Sequence, residues 1–319
     1  MDNMKAIVSR FEYLESQRAN WDSHYQELAD YMLPRKADIV RKRARGEKRM
    51  ELIFDGTALQ SVDLLASSLH GMLTSGATPW FHLTLKDDEL GRDEEVQAWL
   101  EDTSSRMMRA ITMSNFETEV HEMYVDLVVF GTGCMFVEMD KKSMRFSTRH
   151  ISEFYVAEDQ FGIVDTVFRK YRLPARQAVQ RFGIENVGKF IQKTFEKKPD
   201  EEVVVLHCVM PRKERDPTKQ DNKNMPFASM YICMETKMVM QESGFQEFPY
   251  VVPRFLKATG EVMGRSPAMV ALPDVKMLNL MSKTIIQAAQ KLIDPPLLVP
   301  DDGFLLPVRT QPGGLNFFR

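Results

Sequence analysis

Several short stretches of this sequence carry residue types and spacings that could do chemistry. Gly71-Met72-Leu73-Thr74-Ser75-Gly76-Ala77-Thr78 has the glycine spacing of a phosphate-cradling loop. It lacks the lysine that would neutralise the phosphates, and it follows a helical pattern rather than a strand, so no nucleotide is expected there. Gly131-Thr132-Gly133 lacks the third glycine of a dinucleotide fingerprint and leads into strand-like residues, which suits a tight turn. Gly264-Arg265-Ser266-Pro267-Ala268 faintly resembles a nucleophile elbow, but its final glycine is absent and Pro267 marks Ser266 as a helix cap. The six histidines, His24, His70, His82, His121, His150 and His207, never pair at metal-ligand spacing. His207 and Cys208 are adjacent, so in a strand they face opposite sides. Asp87-Asp88 and Asp301-Asp302 read as solvated turns. The expectation is no metal, no cofactor and no enzyme. Catalytic groups can assemble from distant residues, so a hydrolase in the β-rich middle stays an alternative. It would need a cleft with convergent polar groups.

Two cationic sets remain. From Arg35 to Arg49 the chain carries Arg35, Lys36, Arg41, Lys42, Arg43, Arg45, Lys48 and Arg49 against Asp38 and Glu47. No apolar period survives there, and it reads as a mobile loop. Dense like charge extends a chain and often meets polyanions, so Arg41, Lys42, Arg43, Arg45, Lys48 and Arg49 are a candidate polyanion contact beside the plainer reading of a solvated loop. The second set lies on a helix expected over Asp274–Ile293, about 30 Å long. Val275, Leu278, Ile285 and Leu292 share one side, and Met277, Leu280, Met281, Ile286 and Ala288 widen the apolar surface, so the helix needs cover on several sides. The remaining strip is Lys276, Asn279, Lys283, Gln287, Gln290 and Lys291, with no acid to pair it. It could face solvent, a neighbouring subunit, or a passing polyanion such as DNA.

The elements that position these sets follow from periodicity. Residues 1–32 read as one helix with an apolar stripe at Met4, Ile7, Phe11, Leu14, Trp21, Tyr25, Leu28 and Met32, Arg18 occupying the missed step. Core packing is the first reading of that stripe, a contact with a neighbouring subunit the second. Further helices are expected at Ala58–Leu73, Glu94–Ile111 and Phe116–Phe130, with Trp80–Leu85 as a strand. Strands follow at Cys134–Glu138, Met144–Thr148, Val164–Tyr171, Glu202–Val209, Ala228–Met234 and Tyr250–Phe255, interrupted by small helices near Ala175–Phe182 and Glu185–Gln192. Pro273 is expected to interrupt or restart the late helix, and Leu297–Val299 is a short strand candidate.

The 319 residues carry 44% hydrophobic and 27% charged side chains, a globular balance that argues against long disorder. Net charge is −3, which excludes a strongly basic nucleic-acid binder but not a local basic surface. Three widely spaced cysteines argue against disulfides. No apolar run is long enough for a transmembrane helix, so no membrane partner is expected. The 22 methionines suit adaptable contact surfaces, or are plain compositional drift.

The order of several pieces resembles the portal, or head–tail connector, proteins of short-tailed (podovirus-type) bacteriophages. The residues that carry it are Trp21, His24–Tyr31, Leu33-Pro34, Phe54–Ala58, Leu65–Thr74, Pro79-Trp80-Phe81, Leu83, Leu85, Phe130–Gly133, Phe255 and Gly264–Pro267. The resemblance implies an α+β fold: a helical and β-rich wing at 1–265, a stem-like helix at 266–294, and the start of a clip-like region at 295–319. It implies a homo-oligomeric ring, normally a dodecamer, at one capsid vertex. DNA would pass through it during packaging and ejection, without sequence-specific recognition. Implied partners are the terminase large subunit, the major capsid or scaffold protein, and a tail adaptor. The implied location is the virion, after assembly in the host bacterial cytoplasm. Family chains continue past the clip with a returning helix, so the resemblance implies that this chain is a fragment or a degenerate prophage copy. A monomeric virion adaptor or scaffold is the other non-enzymatic reading.

Overall fold

The computed structural model describes residues 2–293, apart from 45, 88–90, 92, 140–142 and 220. Helix α1 (Asp2–Met32) is followed by a 3-10 turn (Pro34–Lys36), then α2 (Thr57–Leu73), α3 (Glu94–Thr112) and α4 (Phe116–Phe130). The middle holds β1 (Met135–Met139), β2 (Met144–Thr148), β3 (Phe154–Glu158) and β4 (Val164–Pro174). After α5 (Ala175–Phe182) and α6 (Gly188–Lys197) come β5 (Glu202–Pro211), β6 (Phe227–Cys233), β7 (Met238–Phe245) and β8 (Tyr250–Val251). Helix α7 (Pro267–Ile293) follows. The fold is α+β, with two antiparallel sheets of order β2-β1-β8 and β3-β4-β5-β6-β7.

Alternation decides the packing of the larger sheet. Leu206 and Cys208 of β5, with Phe168, Met230 and Ile232, meet Ile7 and Phe11 of α1 on one face. Val203 and Val205, with Tyr171, Tyr231 and Cys233, meet Ala178, Phe182 and Ile191 of α5 and α6 on the other. Both faces are covered, so β5 is buried nearly throughout. The main core joins the second half of α1, α2, α4, the smaller sheet and the first turns of α7. Helix α4 is apolar on most sides because other elements surround it.

The stripe of α1 is core packing within the chain: Ile7, Phe11, Tyr25, Leu28 and Met32 are all buried. Its missed step, Arg18, is buried too. The guanidinium donates to the carbonyls of Ile151 (2.8 Å), Ser152 (3.3 Å) and Phe154, pairs with Asp22 at 2.9 Å, and lies 3.8 Å from the Tyr155 ring centre. It fastens α1 to the loop that opens β3.

Several expectations need correction. Trp80–Leu85 is extended but pairs with no strand. Leu83 instead donates its N–H to Ser104 Oγ on α3 at 2.8 Å, and Trp80 stacks on Phe116 with centroids 5.7 Å apart. Strands β3 and β7 were not foreseen. The first is bracketed by charged and turn residues, and the second carries Gln241, Glu242, Ser243 and Gly244. The Tyr250–Phe255 strand reduces to Tyr250–Val251 plus one bridge from Thr132 to Arg254. Pro273 sits inside α7 without ending it. Its ring removes one backbone hydrogen bond, and the buried Ala268 and Leu272 with half-buried Val275 hold the flanking turns. Leu297–Val299 and the clip-like region at 295–319 lie outside the described residues.

Candidate functional site

The base of α7 is built by two glycines and a serine. Helix α4 ends at Gly131, whose φ of +78° is the left-handed cap that glycine adopts without strain. A Cβ there would lie 2.4 Å from the Gly264 carbonyl oxygen, and one on Gly264 would lie 2.2 Å from the Gly131 carbonyl oxygen. The two backbones therefore cross at contact, which accounts for Gly131 and Gly264 as a pair. Ser266 Oγ donates to Val129 O at 2.8 Å and accepts from Met269 N at 3.1 Å. One hydroxyl thus caps α7 and ties it to the end of α4. This is the helix-cap role expected for Ser266, whereas Gly131–Gly133, expected as a tight turn, caps α4 and then pairs as an extended bridge with Pro253–Phe255.

Beyond that base the cationic strip divides. Lys276 pairs with Glu27 of α1 and lies 5.7 Å from the Tyr31 ring centre. The expectation that no acid pairs the strip fails here, because Glu27 is remote in sequence. Asn279 Oδ1 accepts from Phe54 N (2.7 Å) and Asp55 N (3.3 Å), and its Nδ2 donates to Leu52 O at 2.7 Å. Lys283 lies over the Phe54 ring at 5.3 Å. Lys276 therefore ties the helix to α1, and Asn279 and Lys283 tie it to the 52–55 segment of the same chain. Gln287, Gln290 and Lys291 are exposed, with no side-chain partner among the described residues.

The apolar positions of the same helix have far less cover than their number requires. Ile285 is 66% exposed, Leu292 84% and Ile293 85%. Met277, Leu278, Leu280, Met281 and Ile286 are exposed as well.

The basic segment is more ordered than its composition suggests. Gln26 of α1 organises it. Its Oε1 accepts from the N–H groups of Ile39 (3.3 Å), Val40 (2.9 Å) and Arg41 (3.1 Å), and its Nε2 donates to Ala37 O (2.6 Å) and Asp30 Oδ1 (3.0 Å). Arg43 pairs with Asp30 at 3.3 Å and Asp38 at 3.7 Å, and Arg49 pairs with Asp38. Lys36 reaches Asp126 at 2.7 Å and Glu122 at 2.9 Å, and Arg35 reaches Glu122 at 3.0 Å. Burial pushes the Asp126 carboxyl up, against the pull of Lys36. Burial would lower the Lys36 ammonium, but Asp126 and Glu122 more than offset it and hold it above the usual lysine range. Arg41, Lys42 and Lys48 stay exposed. Desolvation and the neighbouring Arg172 and Lys170 push Lys42 down. Arg45 lies outside the described residues.

A buried histidine was missed by the sequence reading. His207 Nδ1 lies 3.0 Å from Tyr250 Oη, Nε2 lies 3.0 Å from Ser229 Oγ, and the ring stacks on Tyr231 at 4.1 Å. It fastens the smaller sheet to the larger one. Burial, with Arg169, Arg181 and Arg149 nearby, holds the imidazole well below its usual range and neutral. Both His207 and Ser229 are 2% exposed, so no substrate reaches them. Cys208 faces the opposite side of the sheet, as adjacency required. Among the described residues, no group of three or more His, Cys, Asp or Glu side chains could hold a metal, and no helix is long and apolar enough to cross a membrane.

The α+β fold with its long late helix is the fold class that the resemblance implied. The family described as bacteriophage head to tail connecting protein matches residues 4–319, so the chain belongs to that family. A probable portal protein of Bordetella phage BPP-1 is 34% identical over 319 residues, covering 98% of this chain and 57% of the relative. A portal protein of Salmonella phage epsilon15 is 32% identical over 317 residues, covering 98% of this chain and 57% of the relative. The chain thus spans a little over half the length of these curated relatives.

Proposed function

We propose that this chain is the wing and first stem helix of a portal subunit, the wing being residues 1–265 and the stem 266–294. Copies would assemble head to tail into a closed ring at a capsid vertex, through which DNA enters and leaves. The observation that carries the reading is the apolar surface of α7 beyond Leu278, exposed among the described residues, in a chain belonging to the head–tail connecting family. A helix apolar on more than one side is stable only when covered, and head-to-tail contacts that close give a ring with every copy covered alike. The role is structural, and the expected partners are further copies, the terminase large subunit, the major capsid or scaffold protein, the tail adaptor and passing double-stranded DNA. The completed ring belongs to the virion, after assembly in the host cytoplasm.

Within that ring the strip takes two roles. Lys276, Asn279 and Lys283 brace the helix against its own chain, leaving Gln287, Gln290 and Lys291 for a neighbour or for the channel. Lysine suits a channel wall because it offers a point charge without bidentate locking. Negative-stain imaging and sedimentation of the whole gene product test the ring. A compact monomer at micromolar concentration would overturn it. Replacing Lys291 by Gln, with Lys276→Gln/Lys283→Gln as the control for the intrachain brace, tests the strip: packaged DNA length should change if Lys291 lines the channel, and ring yield should fall if it meets a neighbour. No change in either measurement refutes both roles.

A further inference from the structure

Helix α3, like α7, has little cover. Of its 19 residues only Leu100 and Ser104 are fully buried. Its outer face carries Trp99, 62% exposed, between Glu95 one turn before and Asp102 one turn after. Glu94 and Glu101, also exposed, lie farther round the helix, at the other edge of the same acidic face. Asp102 pairs with Arg106 on its own helix at 2.8 Å, whereas Glu94, Glu95 and Glu101 have no ion-pair partner among the described residues. A carboxylate-rich helix face with an exposed indole at its edge is a surface that attracts guanidinium and ammonium groups, through charge and through the ring face.

The chain displays the complementary set elsewhere. Arg41, Lys42 and Lys48 are exposed on the segment anchored by Gln26, and neighbouring acids are already taken: Asp30 and Asp38 by Arg43 and Arg49. Desolvation with nearby Arg172 and Lys170 disfavours the Lys42 charge, against a smaller opposing pull from Glu202. The two sets cannot meet in one copy. The cationic segment lies by the start of α2, where Glu47, Arg49 and Met50 share a cavity with Leu59 and Asp63. Helix α3 lies past the other end, held through Leu83 to Ser104 and through Trp80 on Phe116. The 17 residues of α2, about 25 Å, separate them.

We infer that the outer face of α3, carrying Glu94, Glu95 and Glu101 with Trp99 at its edge, is the seat for Arg41, Lys42 and Lys48 of a second copy of this chain. Two different patches that complement each other, far apart on one chain, define a head-to-tail contact that repeats. The inference rests on the ring reading above and places one of its subunit contacts. A polyanion bound by the same cations is the competing occupant, but the acidic face of α3 would repel it and stay uncovered.

The test mixes isotopically heavy and light copies of the whole gene product and couples adjacent lysines and carboxylates with a carbodiimide. The expected result is Lys42 or Lys48 joined to Glu94, Glu95 or Glu101 across a heavy and a light chain. Self-association should weaken by roughly tenfold in Arg41→Glu/Lys42→Glu/Lys48→Glu, and equally in Glu94→Lys/Glu95→Lys/Glu101→Lys. Mixing the two variants should restore it, since each then supplies the partner of the other's reversed patch. Oligomers without those cross-links overturn this contact and leave the ring reading standing. Absence of oligomers overturns both. Loss of salt-dependent DNA retention in the first variant, with association unchanged, assigns the cations to a polyanion and overturns the contact. If either variant melts unlike the parent, the cross-link map of the unaltered protein decides.

Discussion

Gln26→Leu should loosen the basic segment without unfolding the core. Leucine has similar bulk and removes every polar contact of the side chain. Two donated bonds disappear, to Ala37 O and Asp30 Oδ1, together with three N–H groups accepted by one oxygen. One carbonyl has two lone pairs, so the set is equivalent to about four hydrogen bonds. At about 0.5–1.5 kcal/mol each, the gross loss is about 2–6 kcal/mol. Val40 and Arg41 are exposed and their N–H groups regain water, so the net loss should fall near the lower end, about 2–3 kcal/mol. The change is local, because residues 37–41 are the ones released. Hydrogen exchange measures it: amides of Ile39, Val40 and Arg41 should lose protection, while those of β5, buried on both faces, should keep theirs. Gln26→Glu keeps the accepting oxygen and loses the donor, so it should fall between leucine and the parent. Unchanged exchange at Ile39–Arg41 in Gln26→Leu would refute the claim that this side chain orders the segment.

Gly131→Ala should destabilise by more than about 2 kcal/mol, since the methyl would meet the Gly264 carbonyl at a positive φ, and chemical denaturation measures it. Ser266→Ala should cost about 1–2 kcal/mol, the helix cap plus the bond to Val129 O, read in the same way. Stability should fall as pH drops below about 6.5, because His207, His150 and His24 all have lowered folded-state pKa values and the unfolded chain takes up more protons. Urea midpoints at neutral and mildly acid pH check this, and His207→Gln should flatten the difference. Arg18→Met should destabilise by about 3–5 kcal/mol by leaving Asp22 and three carbonyls without their partner. A melting temperature equal to the parent's would contradict that role.

What was legible in the sequence was what a single periodicity records. The start and end of α4 follow from an apolar run closed by glycine, and β4 and β5 from β-branched residues between turn signals. Ser266 was readable as a cap because Pro267 follows it. Strand β7 was hidden because only Met240 is fully buried and its end carries Glu242, Ser243 and Gly244. Trp80–Leu85 misled because alternation reports two faces, not a hydrogen-bonded neighbour. The candidate site was half legible. The strip on α7 was found, but the partners Glu27 and Leu52–Asp55 lie more than two hundred residues away, beyond the reach of spacing. Likewise nothing near residue 41 announces that one glutamine on α1 fixes the segment before it.

The mounting of α7 makes it a cantilever. Its 27 residues reach about 40 Å, while its buried contacts end at Leu272 and its side-chain ties at Lys283. A tilt of about 10° at the pedestal swings the far end by about 7 Å. The stiff joint at Gly131, Gly264 and Ser266 keeps such tilts small, but cannot by itself fix the tip. Neighbouring levers in a closed circle would clamp one another, and the last one placed would gain support on both sides at once. An incomplete circle always leaves two levers, one at each end, with a free flank. Closure would then release more free energy than any earlier addition, and partial arcs would be scarce beside monomers and finished circles.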